Sequence, residues 1–238
     1  MVNNNIKYRF KFTKGEEVKF IGHLDVMIAF QRALKRAGIP IAYSQGFNPH
    51  QLIAFASPLS LGYTSGGEYG DFQLKYAMDE NEIMERLNLA MPDGMRVTEI
   101  VKLRENVKNT MASVCAASYD ILFDGTVTGE DIEKNLKCFL NQEKIFVMKK
   151  TKNNFKETDI RPDIIEAENL SQNDAALMRV LVNAGSVRNL KPESVAEAFC
   201  GFLGREYNKY RISFRRNDMY MKDINGGLVP LTDGVGEP

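Results

Sequence analysis

The chain has 238 residues, of which 44% are apolar and 26% are charged, and this composition excludes an intrinsically disordered protein. Lysine and arginine total 31, as do aspartate and glutamate, which excludes a global electrostatic attraction to nucleic acid or to an anionic membrane. The three widely spaced cysteines rule out a disulfide framework, and no run approaches the roughly 20 apolar residues of a membrane span, so we expect a cytoplasmic protein without membrane contact.

The first predicted element is a strand with one apolar and one basic face. In IKYRFKF, every second residue from Ile6 is apolar, and the residues between them are lysine or arginine. We therefore expect Tyr8 and Phe10 to be buried. Lys7 and Arg9 should lie on the opposite, more exposed face.

A helix and further strands follow in the first half of the chain. Apolar residues at helical spacing predict a helix over residues 24–37, which Gly38 and Pro40 end. Short strands over residues 39–43 and in LIAFA flank the turn SQGFNPH, and another strand follows two consecutive glycines, Gly66 and Gly67. Asp79 caps a second helix, and MRVTEIVKL is the closing strand.

The second half repeats this order. SYDILFD predicts a strand, Thr128 and Asp131 begin a helix, and KIFVMKK and FKETDI predict a hairpin around two consecutive asparagines. ALMRVLVNAG predicts another strand, Pro192 opens a helix, and YRISFRR is the last strand.

The predicted elements of each half come in the order of a strand, a helix, further strands, a second helix and a last strand. This order is the split βαβ pattern of ferredoxin-like domains. The sequence therefore predicts an α+β fold of two tandem ferredoxin-like halves, which cover residues 1–108 and 112–222. A polar stretch with little periodicity joins them. The glycine-rich residues 223–238 are expected to form a flexible tail.

The two histidines of the chain are candidate catalytic residues. His23 lies in GHLD and His50 in GFNPH, and both fall at boundaries between predicted elements. Histidine titrates near neutral pH and can transfer a proton. The alternative is that both are structural residues of turns, because glycine, asparagine and proline are typical of a tight turn in any case.

We expect the two imidazoles to line one concave polar pocket in the first half. Asp25, Gln45 and Asn48 would bind substrate beside them, with Glu68 at the margin. Asp25 has an alternative role as a residue that complements the helix dipole. The spacing of the histidines is not that of a zinc site, so we expect no metal.

Two basic clusters are candidates for nucleic-acid binding. The first surrounds the predicted hairpin and comprises Lys149, Lys150, Lys152 and Lys156, and the second comprises Arg211, Arg215 and Arg216 on or beside the last strand. Lysine and arginine interleaved with aromatic residues on a sheet can bind phosphates and stack bases. Solvated surface charge is the alternative.

Several motifs recur in the order found in a known family. The sequence from KGEEVKFIGHLD through GFNPH to DIRP and NAGSVRNLKPESV resembles the radical-SAM-linked protein family, a domain of unknown function fused to, or encoded beside, radical SAM enzymes. The resemblance covers roughly residues 5–205. The matching positions are Gly22, His23, Asp25, Gln45, Gly46, Phe47, Asn48, Pro49, His50, Pro58, Gly62, Glu68, Asp159, Arg161 and Pro162.

The resemblance implies a function beside an enzyme. Radical SAM chemistry requires closely spaced thiolates that hold an iron–sulfur cluster, and these are absent from the sequence. The cluster and S-adenosylmethionine would therefore belong to a partner, and the chain itself would need no cofactor. We expect a non-catalytic partner of a radical SAM enzyme that presents an RNA or RNA-derived substrate, with Arg161 as a further substrate-binding residue. The alternative is a metal-independent endoribonuclease, or another RNA-processing enzyme, that uses His23 or His50 as a general acid or base.

Overall fold

The computed structural model describes residues 6–125, 127–150, 154–173 and 175–237, and of Lys150 it describes the backbone alone. Within these residues the chain is an α+β protein with five helices and eleven strands, in agreement with the predicted class. It forms two compact units. Unit 1 comprises Met1–Val114 and Asp218–Pro238, and unit 2 comprises Cys115–Asn217.

The elements of the first segment of unit 1 are β1 (Ile6–Lys14), α1 (His23–Arg36), β2 (Ile53–Phe55), β3 (Thr64–Leu74), α2 (Glu80–Ala90), β4 (Met95–Lys102) and α3 (Thr110–Ser113). Those of unit 2 are β5 (Ala116–Phe123), α4 (Gly129–Leu140), β6 (Phe146–Lys150), β7 (Phe155–Asp159), β8 (Ile164–Asn169), β9 (Ala176–Asn183) and α5 (Pro192–Phe202). Strand β10 (Ile212–Lys222) begins in unit 2 and ends in unit 1, where β11 (Leu228–Pro230) follows it. None of the helices in the described ranges is long and apolar enough to cross a membrane.

The sheet of unit 1 has the strand order β4-β1-β3-β2, and its ladders are antiparallel. Phe10 and Phe12 of β1 pack with Phe30 of α1 and with Phe55 and Phe72 of the neighbouring strands. This aromatic core confirms the predicted burial of Phe10, whose side chain is completely inaccessible to solvent.

Gly70 is required by the same core. It lies opposite Phe10 in the ladder between β1 and β3, and a Cβ atom at this position would lie 2.5 Å from Cζ of the Phe10 ring. Only a glycine lets the ring lie across the neighbouring strand.

The second face of β1 differs from the prediction. Lys7 is exposed as expected, but Arg9 is fully buried, so its predicted exposure is wrong. The guanidinium of Arg9 donates from Nε to Asp71 Oδ1 over 2.8 Å and from Nη1 to the Leu231 carbonyl over 2.9 Å. A segment distant in sequence therefore covers the basic face of β1.

That covering segment is the C-terminal end of the chain, which was expected to be a flexible tail. Strand β11 pairs with the end of β10, and Leu231, Thr232 and Val235 are buried. Thr232 Oγ1 donates to Glu99 Oε2 over 2.9 Å. These residues are a packed part of unit 1.

Unit 2 contains an antiparallel sheet with the order β8-β9-β5 and a separate two-stranded sheet of β6 and β7. The predicted hairpin and the predicted cap at Thr128 are both confirmed, the latter because its Oγ1 accepts from the Asp131 amide over 3.1 Å. Strand β8 was not predicted. The finer prediction, two tandem ferredoxin-like halves, stays a prediction.

Candidate functional site

The GHLD motif forms the beginning of helix α1. The Gly22 amide donates to Asp25 Oδ2 over 3.1 Å, so this exposed carboxylate caps the helix. The first helical residue, His23, lies edge-on against Phe55, with 5.8 Å between the ring centroids. Asp25 therefore has the structural role that was the alternative to substrate binding.

His23 lines a small cavity with two buried charged residues. The cavity has a volume of about 10 Å³, and its lining includes Lys14, Ser57 and Glu68. Lys14 and Glu68 are both more than nine-tenths buried. A space of this size holds about one water molecule, so the arrangement can orient one water and exchange a proton with it.

Lys14 also fixes the chain before α1. Its Nζ donates to the carbonyl oxygens of Lys19 and Ile21, each over 3.0 Å. A buried ammonium is stable only with such partners. The same contacts hold the GHLD motif against the sheet.

The SQGFNPH turn is a closed loop with an exposed tip. Ser44 and His50 join its two ends, because Ser44 Oγ lies 2.8 Å from His50 Nδ1 and the Ser44 amide donates to the His50 carbonyl over 2.8 Å. Gly46 has a φ of 117°, which favours glycine. At the tip, Gln45 and Asn48 are exposed and the Phe47 side chain is fully exposed.

His50 lines a second, larger cleft of about 300 Å³. Its polar lining includes Lys7, Asp71 and Asn109, and its apolar lining includes Leu52, Leu103 and Val107. Gln51 also lines the cleft and is 8% exposed, and its buried Oε1 accepts no hydrogen bond from the described residues. The cleft can therefore bind a small molecule that has both polar and apolar parts.

The structure does not bring the two histidines together as expected. The cavity beside His23 and the cleft beside His50 share no lining residue. Glu68 lies with His23, whereas Asp25, Gln45 and Asn48 line neither space. The prediction failed because a helix start and a turn after the next strand need not face the same cavity.

The DIRP motif of unit 2 is a structural connection. Asp159 Oδ1 accepts from the amides of Ile145 and Arg161, each over 3.0 Å, and these backbone donors hold the pKa of the Asp159 carboxyl below its ordinary value. Arg161 donates from Nε to the Leu140 carbonyl over 2.6 Å and from Nη1 to the Ile164 carbonyl over 3.0 Å. Both charged groups thus bind backbone rather than line a described cavity.

The predicted basic residues all belong to unit 2. Lys149 lies in β6, directly opposite Lys156 of β7. Arg211 and Arg215 are exposed, and Arg211 Nε lies 3.7 Å from Asp124 Oδ2. Arg216 is buried, so its predicted place in a nucleic-acid-binding cluster is wrong. The side chain of Lys150 and all of Lys152 lie outside the described residues.

The cysteines are separated in the structure as in the sequence. Cys200 is buried in α5, where burial raises the pKa of its thiol above the ordinary value, while Cys138 is exposed. Among the described residues, no group of three histidine, cysteine or acidic side chains is placed to hold a metal ion.

Comparison with known proteins identifies the family. The family model DUF2344, described as an uncharacterized protein conserved in bacteria, matches residues 7–192. The chain belongs to the DUF2344 family. This description does not mention radical SAM enzymes, so that part of the sequence resemblance stays a prediction. The matched residues include both histidine motifs and DIRP.

The other comparisons add little to this. No curated protein matches the chain. A crystal structure of an unknown protein from Galdieria sulphuraria is similar at 14% identity, over 90% of this chain and 99% of that chain, with a TM-score of 0.25. A score this low supports no inference about the fold or the function of the DUF2344 chain.

Sequence reasoning missed a set of exposed apolar side chains beside the GHLD motif. Leu24 and Ile28 lie one turn apart on α1 and are 70% and 42% exposed. Phe20 and Leu61 are also exposed, and they lie in neighbouring segments because the Gly62 amide donates to the Lys19 carbonyl over 2.9 Å. The available signal was the helical pattern itself, which leaves Leu24 and Ile28 outside the apolar stripe of α1.

Proposed function

We propose that this DUF2344 chain is a non-catalytic partner of a radical SAM enzyme and that it presents an RNA or RNA-derived substrate to that enzyme. The observation that carries the partner role is the exposure of the apolar pairs Leu24/Ile28 and Phe20/Leu61 around the start of α1. Exposed apolar side chains that lie together are typical of surfaces that bind other proteins. We define these four residues as the apolar pairs of unit 1.

The radical SAM part of the proposal derives from the sequence resemblance. The motifs that carry this resemblance surround the apolar pairs, since GHLD begins α1 and Gly62 follows Leu61. Because the cysteines of the chain lie far apart, the iron–sulfur cluster and S-adenosylmethionine are assigned to the partner. The partner would then bury the same surface that the motifs build.

The RNA part of the proposal is supported by the basic residues of unit 2. Lys149 and Lys156 face each other across a hairpin, and Arg211 and Arg215 are exposed at the start of β10. When lysine and arginine side chains neutralise the phosphates of an RNA, the counterions of the RNA are released, and this release favours binding. These basic residues can bind the substrate while unit 1 binds the enzyme.

Affinity capture tests the proposal. The full chain, tagged and expressed in its native host, is isolated under gentle conditions, and co-purifying proteins are identified by mass spectrometry against a tag-only control. We expect enrichment of a protein that carries a radical SAM iron–sulfur cluster. Recovery of no such protein would contradict the partner role.

The rival function is an endoribonuclease that uses His23 or His50, and the form of it that uses both histidines at one phosphate is not favoured by the geometry. A general acid and a general base must both reach one scissile phosphate, and His23 and His50 line separate spaces. Incubation of the pure protein with total small RNA in EDTA tests this directly. Cleavage that disappears in the His23→Ala/His50→Ala double variant would establish the rival and remove the proposal.

A further inference from the structure

The cleft of about 300 Å³ lies over the second face of the sheet of unit 1, away from the aromatic core. Opposite residues of an antiparallel ladder share a face, and the register pairs Lys7 with Gln73 and Ala54 with Asp71. All four residues line the cleft, together with His50. We call this space the His50 cleft, and all of its lining residues belong to unit 1.

Two residues of opposite charge line the His50 cleft, and the acidic one is already paired. The Asp71 carboxylate accepts from Nε and Nη2 of Arg9 over 2.8 and 3.3 Å, and this ion pair carries no net charge. Lys7 is exposed, and its ammonium forms no hydrogen bond or ion pair with the residues that the structure describes. The cleft therefore has a positive charge and attracts an anion.

Two acidic residues lie on the other side of Lys7, in an adjoining depression. They are Glu105 and Glu237. Glu237 pairs with Lys102 over 2.7 Å, and Glu105 is exposed to solvent. Water and salt screen an exposed carboxylate, so the ammonium of Lys7 still attracts an anion that enters the His50 cleft.

His50 and Asn109 add hydrogen-bond donors to the cleft. The His50 amide donates to Ser44 Oγ over 3.0 Å, and the Ser44 hydroxyl can itself donate to His50 Nδ1, which is 2.8 Å away. When Nδ1 accepts, the hydrogen of the neutral imidazole is on Nε2. Asn109 Oδ1 accepts from the Ala112 amide over 2.9 Å, which leaves Nδ2 as the donor of that side chain. Donors of these kinds beside an ammonium suit an anionic group.

The cleft also offers an apolar surface and a buried acceptor. The apolar surface comprises Leu52, Leu103 and Val107, and Leu103 lies beside Lys7 because its amide donates to the Lys7 carbonyl over 2.8 Å. The acceptor is Oε1 of Gln51, which is buried and receives no hydrogen bond within the described part of the chain. Buried acceptors are nearly always paired, so an N–H or O–H group of a ligand would complete this one.

We propose that the His50 cleft binds a small organic anion. Its anionic group contacts Lys7 and His50 Nε2, its apolar body contacts Leu103 and Val107, and a donor on it serves Gln51. The volume of the cleft is at the lower end for small-molecule sites, which excludes a large ligand. A carboxylate and a phosphate monoester present the same chemistry to these donors. The inference does not depend on the proposed function, because none of the apolar pairs lines this cleft.

A panel of two kinds of anion, each beside its neutral counterpart, tests the site by ligand-observed NMR titration. The carboxylate is para-aminobenzoate with para-aminobenzamide, and the phosphates are AMP, CMP, GMP and UMP with their nucleosides. We expect one kind of anion to bind the wild type about 10-fold more tightly than its neutral counterpart, the lower end for a charge-assisted hydrogen bond. The kind that binds identifies the anionic group of the natural ligand.

Lys7→Gln should abolish the preference for the anion, because it removes the ammonium and keeps a side chain of similar length. Its control is Lys35→Gln, which makes the same charge change at an exposed position of α1, on the face of the sheet that carries the aromatic core. This control should keep the 10-fold preference. Equal preferences in the two variants would overturn the role of Lys7.

Two further variants test the remaining lining. Val107→Asp places a carboxylate on the apolar surface and should weaken binding of the anion at least about 10-fold, whereas Val187→Asp, at an exposed position of unit 2, should leave it unchanged. His50→Leu removes Nε2 and should weaken binding about 5-fold, the value for one neutral hydrogen bond. Urea midpoints of all variants are compared with the wild type, so that a loss of binding is not mistaken for unfolding.

The outcomes separate this inference from the proposed function. Absence of binding by every anion of the panel, or binding that all the cleft variants leave unchanged, would overturn the His50 cleft as an anion site. Either result leaves the capture of a partner protein by unit 1 as it was. A failed capture with intact anion binding would overturn the partner role alone.

Discussion

Replacement of the buried Arg9 should destabilise unit 1 more than any other change of a single charge that we consider. The guanidinium is completely inaccessible to solvent and donates to three different segments of the chain. Nε and Nη2 donate to the two carboxylate oxygens of Asp71 over 2.8 and 3.3 Å. Nη2 also donates to the Lys108 carbonyl over 2.8 Å, and Nη1 donates to the Leu231 carbonyl.

Methionine at position 9 would keep much of the side-chain volume and remove every donor. It would leave the Asp71 carboxylate without its counterion and remove the Arg9 donor from the Leu231 carbonyl, while the Lys108 carbonyl would retain Ser113 Oγ as a donor over 3.4 Å. Removal of one member of a buried ion pair costs about 3–5 kcal/mol. Because the Asp71 side chain is 15% exposed and retains the Thr110 amide as a donor over 2.9 Å, we expect a loss near the lower end, about 3 kcal/mol.

Urea unfolding followed by circular dichroism measures this loss, since the chain contains no tryptophan. With a slope of about 2 kcal/mol per molar urea, a loss of about 3 kcal/mol lowers the unfolding midpoint by about 1.5 M. Lys7→Met is the matched control, because it removes an exposed cation from the same strand and should change stability by less than about 0.5 kcal/mol. Equal midpoints for Arg9→Met and Lys7→Met would refute the argument.

Three further predictions concern the core, the C-terminal segment and the DIRP motif. Gly70→Ala should cost about 1–3 kcal/mol of unfolding free energy, measured in urea, because its Cβ would clash with the Phe10 ring; a wild-type midpoint would contradict this packing. Deletion of residues 228–238 removes buried apolar side chains and should lower the melting temperature by about 10 °C in a thermal scan, whereas a flexible tail would leave it unchanged. The lowered pKa of Asp159 means that its stabilisation is complete above the ordinary carboxyl pKa and is lost as the pH falls through the lowered value, so wild-type stability should decrease below about pH 4. Asp159→Asn should remove that part of the pH dependence of the urea midpoint, and an unchanged dependence would show that the carboxylate does not act.

Patterns within short stretches of sequence correctly predicted the strands and helices that those stretches determine by themselves. The alternation in β1 identified the buried Tyr8 and Phe10, and the cap residues Asp79 and Thr128 begin helices as expected. Strand β8 was missed because a register shift between Ile164 and Glu166 interrupts the alternation that marks a strand.

The burial of Arg9 could not be predicted because its cause is distant. The residue that covers the basic face, Leu231, lies more than 200 positions away in sequence, and the glycine-rich composition around it indicates a tail rather than a strand. The burial of Arg9 therefore depends on a contact that the alternation of apolar and basic residues in β1 does not reveal.

The candidate site was predicted by residue type but not by position. His23 and His50 each line a concave space, but the spaces are separate, because sequence spacing does not tell which space each one faces. The pairing of His23 with Lys14 was missed because Lys14 lies beyond the alternating stretch IKYRFKF and because a lysine is not expected to be buried beside Phe12, which lines the same cavity.

The central claim is that unit 1 binds a radical SAM enzyme. It is tested most directly by comparing the proteins that are captured with two leucine variants. Leu24→Asp places a charge within the apolar pairs, in the first turn of α1, where an acidic residue favours the helix dipole and should keep the fold intact. Leu89→Asp is the control, because Leu89 is also exposed, at 89% against 70% for Leu24, and it lies at the end of α2 that contacts Arg36, at the opposite end of α1 from Leu24. We expect quantitative mass spectrometry to find a radical SAM protein with the wild type and with Leu89→Asp, and its loss with Leu24→Asp. Equal recovery with both variants, or recovery of no radical SAM protein with the wild type, would contradict the account.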